Sequence, residues 1–204
     1  MSTRQSKLRV TKALLDGWLW SYRRDGGWDD FIKTLNREPL KQTEAMLLGV
    51  QFENVLNSTL NGVPIPSDHE WFKVITEMAQ ELDGAQQQVN LFADTGIEYG
   101  GCKILLHGVL DYLVRGHIYD CKFTKNYHLN KYFWEDTTQT AMYLALVPEA
   151  RDFTYIASDG KYVYRERYPR EIVPPIDGTV INFCKFLERQ NLFEIFITKW
   201  GINN

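Results

Sequence analysis

The sequence predicts an α/β (α+β) fold, in which a central mixed β-sheet is flanked by helices. Apolar residues recur at helical spacing through the first 85 residues. From residue 88 to residue 123 the pattern changes to an alternation of apolar and polar residues, which is typical of strands. We therefore expect a single domain over residues 1–204, with a mostly helical part at 1–85 and the sheet core at 86–204.

Four helices are predicted in the N-terminal part. Thr43 suits the N-cap of the third helix, because its hydroxyl can accept a backbone N–H of the first turn. Ser67 and Glu70 have the spacing of a capping box and would open the fourth helix. Stops are provided by Asp25-Gly26-Gly27 and Asn61-Gly62. The predicted helices cover residues 6–24, 28–35, 44–60 and 67–82.

The second part of the chain predicts a meander of strands, a helix, a hairpin and a further helix. Asp159-Gly160 marks the hairpin, because this pair favours a two-residue turn between alternating segments. The predicted strands cover 88–95, 102–114, 117–123 and the two arms of 152–168. The predicted helices cover 131–147 and a segment from about residue 177, whereas 192–200 fits a helix or a strand.

Composition excludes several classes of protein. The three cysteines are widely spaced and form no CxxC pair, which argues against a zinc site or an iron–sulfur cluster. No apolar run is long enough to cross a bilayer, and the N-terminus has no apolar signal core. We expect a cytoplasmic protein without a membrane partner.

The net charge of −3 argues mildly against nucleic-acid binding, but the average hides two local basic clusters. Aromatic residues lie among or next to both, and this mixture suits a phosphate backbone with bases nearby. The alternative is a solvated loop and an exposed strand face. The first cluster comprises Lys122, Lys125, His128 and Lys131, and the second comprises Arg151, Lys161, Arg165, Arg167 and Arg170.

Charged residues also interrupt two otherwise apolar strands, at Asp111 and at Asp120-Cys121-Lys122. Alternation along the second strand places Asp120 and Lys122 on one face and Cys121 on the other. Asp111, on the preceding strand, would lie in the same region. Two facing carboxylates repel each other unless a cation lies between them, and hard oxygen ligands suit Mg²⁺ or Mn²⁺. The alternative is an exposed cross-strand charge pair.

These residues resemble the PD-(D/E)XK nuclease superfamily, and in particular its RecB-like and phage-type exonucleases. Glu53 on an upstream helix and the Gln139-x-x-x-Tyr143 pair on the helix after the lysine strand match further motifs of that group. The resemblance spans residues 47–156 and departs from the family name at Leu110, where proline would stand. It implies a restriction-endonuclease-like core.

The resemblance also implies a metal site and the roles of its residues. Mg²⁺ or Mn²⁺ would be held by Glu53, Asp111, Asp120 and the backbone carbonyl of Cys121, with Glu44 as the alternative to Glu53. Lys122 would orient the attacking water or stabilise developing charge. Gln139 would position Lys122 or the scissile strand, and Tyr143 would contact the DNA backbone.

The function that the resemblance implies is a metal-dependent DNA exonuclease in phage or recombination-type DNA processing, in a bacterial or phage-infected host cell. Alternatives are a structure-specific or restriction-type endonuclease and a DNA-binding module that does not cut. Candidate partners besides DNA are a recombination or single-strand annealing protein and a second copy of the chain. Trp134 is a candidate for stacking on a base. The candidate DNA contacts are Lys125, Lys131, Tyr143, Arg165 and Arg167.

Overall fold

A computed structural model describes residues 6–133 and 137–202. It shows a mixed sheet flanked by helices, as the sequence predicts; in this part of the chain the sheet has seven strands and there are seven α-helices. The strands are β1 (Lys7–Val10), β2 (Gln86–Tyr99), β3 (Cys102–Val114), β4 (His117–Phe123), β5 (Asp152–Ser158), β6 (Val163–Pro169) and β7 (Gly201–Ile202). The helices are α1 (Lys12–Trp20), α2 (Gly27–Leu35), α3 (Glu44–Leu60), α4 (Phe72–Glu81), α5 (Gln139–Leu146), α6 (Asp177–Arg189) and α7 (Phe193–Trp200).

The strand order is β6-β5-β4-β3-β1-β7, and β2 pairs with the other edge of β3. β1 runs parallel to β3 and β4 runs parallel to β5, whereas the remaining pairs are antiparallel. No helix in the described ranges has the length and apolar character that crossing a membrane requires.

The N-terminal part contains one strand that the helical pattern concealed. Residues 7–10 form β1 instead of the first turns of a helix, and Thr11 then caps α1. Leu8 and Val10 are fully buried while their neighbours are half-buried, but two alternations are too few to stand out beside a longer helical pattern. Thr43 caps α3 as predicted, with its hydroxyl accepting the N–H of Met46 at 3.2 Å.

The predicted capping box at Ser67 does not open a helix. α4 begins at Phe72, because residues 67–71 form turns that bring Trp71 against Phe52 and Phe123. His69 Nδ1 accepts the N–H of Trp71 at 3.1 Å and stabilises this turn. Burial of the indole therefore overrides the local capping signal.

The strands at 102–114 and 117–123 and the hairpin around Asp159-Gly160 are confirmed, and β2 is longer than predicted. The hairpin loop has four residues, 159–162, and not the predicted two, because Ser158 pairs with Val163. Of the helix predicted over 131–147, the described residues form a helix at Gln139–Leu146, and residues 134–136 lie outside the described ranges. Residues 131–133 belong to a loop, in which the N–H of Tyr132 donates to Glu166 Oε2 at 3.0 Å. The ambiguous final segment forms α7.

Two apolar clusters lie on opposite faces of the sheet. The larger joins α1, α2, α5, α6 and α7, whereas the smaller joins α3 and α4. Alternation along β4 separates them, because Ile118 packs in the larger cluster and Tyr119 in the smaller one.

The sheet has a gap along one edge of β3. β1 pairs with residues 103–106 of β3 and β4 pairs with residues 112–114, so no strand in the described ranges covers residues 107–111 on that edge. Opposite the gap, the pairing of β2 with β3 omits Gln88 and Asp111, and Gln88 has a φ of 50°. The two strands turn here, since Leu110 faces the larger cluster and Tyr112 the smaller one.

Candidate active site

Asp120 lies at the centre of the predicted site and is only 2% exposed. Its Oδ1 accepts a hydrogen bond from the side-chain amide of Gln139, and its Oδ2 forms an ion pair with Lys122 Nζ. Asp120 and Lys122 share the face of β4 that carries Ile118, as the alternation predicts. Two side chains thus hold a buried carboxylate that would otherwise be costly to desolvate.

Asp111 points into the gap of the sheet. The β3–β4 ladder ends at Tyr112–Tyr119, one step before Asp111 and Asp120 would face each other. Instead, the backbone N–H of Cys121 donates to Asp111 Oδ2 at 3.0 Å. Burial, and then the negative charge of Asp120, raise the pKa of Asp111 to about 8. A proton or a cation is therefore favoured at this carboxylate.

Glu53 approaches the same place from α3. Its Oε1 accepts a hydrogen bond from the side chain of Gln88 at 2.9 Å, at the turn in β2. Burial and the charge of Asp120 raise the pKa of Glu53, and Lys122 partly offsets this. Glu44 lines a neighbouring cleft together with Lys125, so Glu53 is the helical carboxylate that the fold brings to Asp111 and Asp120.

The donor set suits a divalent cation. Three carboxylates and one ammonium group carry a net charge of −2 when all are ionised. The N–H and C=O of one strand residue point to the same edge, so the Cys121 carbonyl shares the gap that its N–H faces. Within the described ranges no three His, Cys, Asp or Glu side chains form a ready-made ion cage. A bound ion would displace side chains that now contact the carboxylates, such as Lys122 at Asp120 and Gln88 at Glu53.

Lys122 lies between the buried carboxylates and an open cleft of about 450 Å³. Burial opposes its charged form, but the attraction of Asp120 and Asp111 outweighs this, so the pKa of Lys122 is raised above its ordinary value. The side chain stays protonated at neutral pH and can attract an anion. The cleft is lined by Lys12, Asp16, Trp20, Lys122, Lys131, Tyr132, Phe133, Thr137, Gln139 and Tyr155.

α5 supplies both residues of the predicted Gln-x-x-x-Tyr pair, but the structure changes their interpretation. Gln139 contacts Asp120, whereas the sequence favoured a contact with Lys122 or with DNA. Tyr143 is 7% exposed, and its hydroxyl donates to the carbonyl oxygen of Val109 at 2.9 Å, on the uncovered edge of β3. The Tyr143 hydroxyl thus makes a structural bond inside the protein, and its predicted DNA contact stays a prediction.

Two acidic residues that the sequence did not single out hold the surroundings of the site. Asp16 on α1 accepts hydrogen bonds from the N–H and hydroxyl of Thr138 at 2.7 and 2.8 Å and so caps α5 from another helix. Glu166 is buried and accepts hydrogen bonds from Tyr127, Tyr132 and Tyr168. The sequence does not mark these contacts, because Thr138, Tyr127 and Tyr132 are more than 30 residues from their acceptors and Tyr168 lies on the same strand as Glu166.

The predicted DNA contacts divide into two groups. Lys131 lies at the cleft beside Lys122, and the exposed Lys125 lines the adjoining cleft. Arg165 is in register with Ile156 and Cys121, so it points to the opposite face from Lys122, where Glu77 and Glu81 bind it.

Arg167 pairs with Asp152 at the start of β5. The structure thus does not bring Arg165 and Arg167 to the cleft, because both are engaged by carboxylates elsewhere. The base contact predicted for Trp134 lies outside the described residues.

Comparisons with known proteins show a likeness in fold. No family model and no curated protein matches the sequence. The crystal structure of SSO0001 matches with 14% identity and a TM-score of 0.53, over 89% of this chain and 76% of that chain. The crystal structure of LHK-Exo in complex with dAMP matches with 12% identity and a TM-score of 0.44, over 93% of this chain and 92% of that chain. The first likeness concerns the fold alone, and the second is too weak to carry an argument.

Proposed function

We propose that this protein is a metal-dependent DNA nuclease with its active site at the gap between β1 and β4. The observation that carries the proposal is the grouping of Glu53, Asp111 and Asp120 with one protonated lysine, Lys122, beside an open cleft. Three carboxylates alone would repel a phosphodiester. One divalent cation bound among them would bring the net charge of the three carboxylates and Lys122 from −2 to zero.

The chemistry of the donor set favours Mg²⁺ or Mn²⁺ held by Glu53, Asp111, Asp120 and the Cys121 carbonyl. When bound, such an ion lowers the pKa of a water ligand and neutralises charge on the phosphoryl oxygens.

The protein's own residues orient these groups and attract the substrate. Gln139 and Lys122 fix the two oxygens of Asp120, and the Cys121 N–H fixes Asp111. Lys122 is cationic and stabilises negative charge that develops on the scissile phosphate. Lys12 and Lys131, with the rings of Trp20 and Tyr132, line the cleft and suit a phosphate chain with bases beside it.

We further propose that the enzyme acts as an exonuclease in phage or recombination-type DNA processing, which rests on the sequence resemblance. An endonuclease would carry the same carboxylates and lysine, so the shape of the preferred DNA distinguishes the two. A module that binds without cutting would have no use for three carboxylates near a phosphate.

The test is a cleavage assay on linear and closed circular DNA with Mg²⁺, Mn²⁺ or EDTA. We expect metal-dependent loss of linear DNA by the wild type, and no cleavage by Lys122→Ala or Asp120→Asn, which should remain folded by circular dichroism. Lys185→Ala and Asp68→Asn are matched controls, because both side chains are exposed on other elements.

Nicking of the closed circular DNA would identify the enzyme as an endonuclease. Cleavage by either site variant at the wild-type rate would overturn the site assignment. DNA binding without metal-dependent cleavage would favour the binding module.

A further inference from the structure

A strip of surface runs from Glu53 along the exposed face of the β2–β3 hairpin to β1. Alternate residues of β2 point to this face, and each of them contacts a side chain of α3 or β3. Gln88 binds Glu53, Asn90 binds His107 through Nε2 at 2.9 Å, and Phe92 stacks on the His107 ring with a centroid distance of 4.2 Å. Phe92 is 51% exposed, so the outer face of this aromatic pair is open to solvent.

The far end of this strip carries two arginines without a carboxylate partner. Arg9 Cζ lies 5.6 Å and Arg37 Cζ 5.2 Å from the centroid of the same ring, that of Trp200. In the described ranges neither guanidinium has a carboxylate oxygen within 4.0 Å. Two like charges at one indole repel each other, and burial and the charge of Arg37 lower the pKa of Arg9 accordingly.

Arg9 also has an unsatisfied donor. Its Nε is buried and has no hydrogen-bond partner, which is costly unless a ligand or a water supplies one. Lys7 and Lys103 are register partners on the same face, where Asp94 binds Lys103 and Glu98 is its register partner on β2, so four cations with Arg9 and Arg37 face two carboxylates. This end of the strip therefore carries excess positive charge in a protein whose net charge is −3.

We infer that Arg9 and Arg37 bind a backbone phosphate of the DNA substrate several nucleotides from the bond that is cut, and that Phe92 and His107 stack on a base between the two points. This inference rests on the proposed function, which defines the point on the DNA from which the distance to Arg9 and Arg37 is counted. Arg9 is in register with Leu105, six residues before Asp111 on β3. At about 3.3 Å per residue the two points are about 20 Å apart. DNA rises about 3.4 Å per nucleotide, so the distance corresponds to about six nucleotides.

The test is a comparison of DNA length in a binding assay without cleavage. Fluorescein-labelled single-stranded DNA of 4 and 16 nucleotides is titrated in Mg²⁺ against Lys122→Ala protein, which keeps the three carboxylates and should not cleave, and the dissociation constant is read from anisotropy at several salt concentrations. This protein, with Arg9 and Arg37 of the wild type intact, should bind the 16-mer more tightly than the 4-mer. Arg9→Gln/Arg37→Gln in the same protein should lose about tenfold on the 16-mer, with no loss on the 4-mer. Each phosphate contact removed should lower the salt slope by about 0.7.

Arg151→Gln/Arg189→Gln is the matched control, because it removes the same charge from exposed positions away from the strip. If the double variant is unstable, the single variants Arg37→Gln and Phe92→Ala, both at exposed positions, take its place in the same binding assay. The inference is overturned if the variants keep the gain in affinity between the two lengths that the Lys122→Ala protein shows, or if the control loses as much. If the variants lose affinity for the 16-mer only, but the wild-type protein shows no metal-dependent cleavage, the result would support DNA binding along the strip and contradict the proposed nuclease function.

Discussion

A methyl group at position 108 tests whether α5 must contact β3 for the site to form. A Cβ at Gly108 would lie 2.7 Å from Leu146 Cδ1 and 3.0 Å from Tyr143 Cε1. Carbon atoms pack best at about 3.5–4.0 Å, so the two side chains must retreat by about 1 Å. Leu146 can change rotamer, but Tyr143 is fixed by its bond to Val109.

Overpacking of this kind costs about 1–3 kcal/mol. In a domain of this size each kcal/mol lowers Tm by about 2–4 °C, so Gly108→Ala should lower Tm by about 2–12 °C. Cleavage should also slow, because Gln139 lies one turn before Tyr143 and would move with the helix.

The assay combines thermal unfolding with a double-mutant cycle. Leu146→Val shortens the side chain that makes the closest contact and so removes the clash. The double variant Gly108→Ala/Leu146→Val should therefore be more stable than the sum of the two single effects predicts. A Gly108→Ala protein that melts and cuts like the wild type would refute the reasoning, since it would show that α5 has room to spare above β3.

Three further predictions concern single side chains. Asp16→Ala should lower stability by about 1–2 kcal/mol through loss of the cap on α5, and Asp16→Asn, which keeps an acceptor, should lose less; equal Tm values would refute the capping role. Because the folded-state pKa of Asp111 is raised to about 8, the folded form retains a proton that the unfolded chain loses near pH 4, so in EDTA stability should fall as pH rises from 5 to 8. Asp111→Asn should flatten this Tm profile, and an unchanged slope would contradict the assignment. Arg165→Gln should cost about 1 kcal/mol and leave DNA affinity unchanged, because its partners are partly exposed carboxylates on the face opposite to Lys122; a weaker Kd would restore it as a DNA contact.

The sequence predicted most elements of the sheet because their signals are local. β3 and β4 consist of alternating residues bounded by glycine turns, and their limits match the structure. β1 was missed because four residues carry too little pattern, and its strand character depends on pairing with residues about 100 positions away. The long α5 prediction failed at its start because Glu166 holds the preceding loop from a distant strand.

The predicted site residues converge, but the contacts among them were not readable from the sequence. Alternation was enough to place Asp120 and Lys122 on one face. Alternation could not reveal that the Tyr143 hydroxyl donates to a carbonyl on the uncovered edge of β3. That edge is uncovered because β1 and β4 pair with different segments of β3, which no local pattern indicates. The left-handed φ of Gln88 likewise has no marker, since glycine and asparagine are the usual residues there.

Side chains take over, in the gap of the sheet, hydrogen bonds that a neighbouring strand would otherwise make. Asp111 serves the Cys121 N–H in this way, so it is part of the scaffold as well as part of the proposed chemistry. In a saturation library sorted only for folded protein, position 111 should therefore tolerate asparagine and little else, whereas the exposed Lys125 should accept many residues. A lineage that no longer needed to cut DNA would lose Lys125 first and keep an acceptor at position 111 long afterwards.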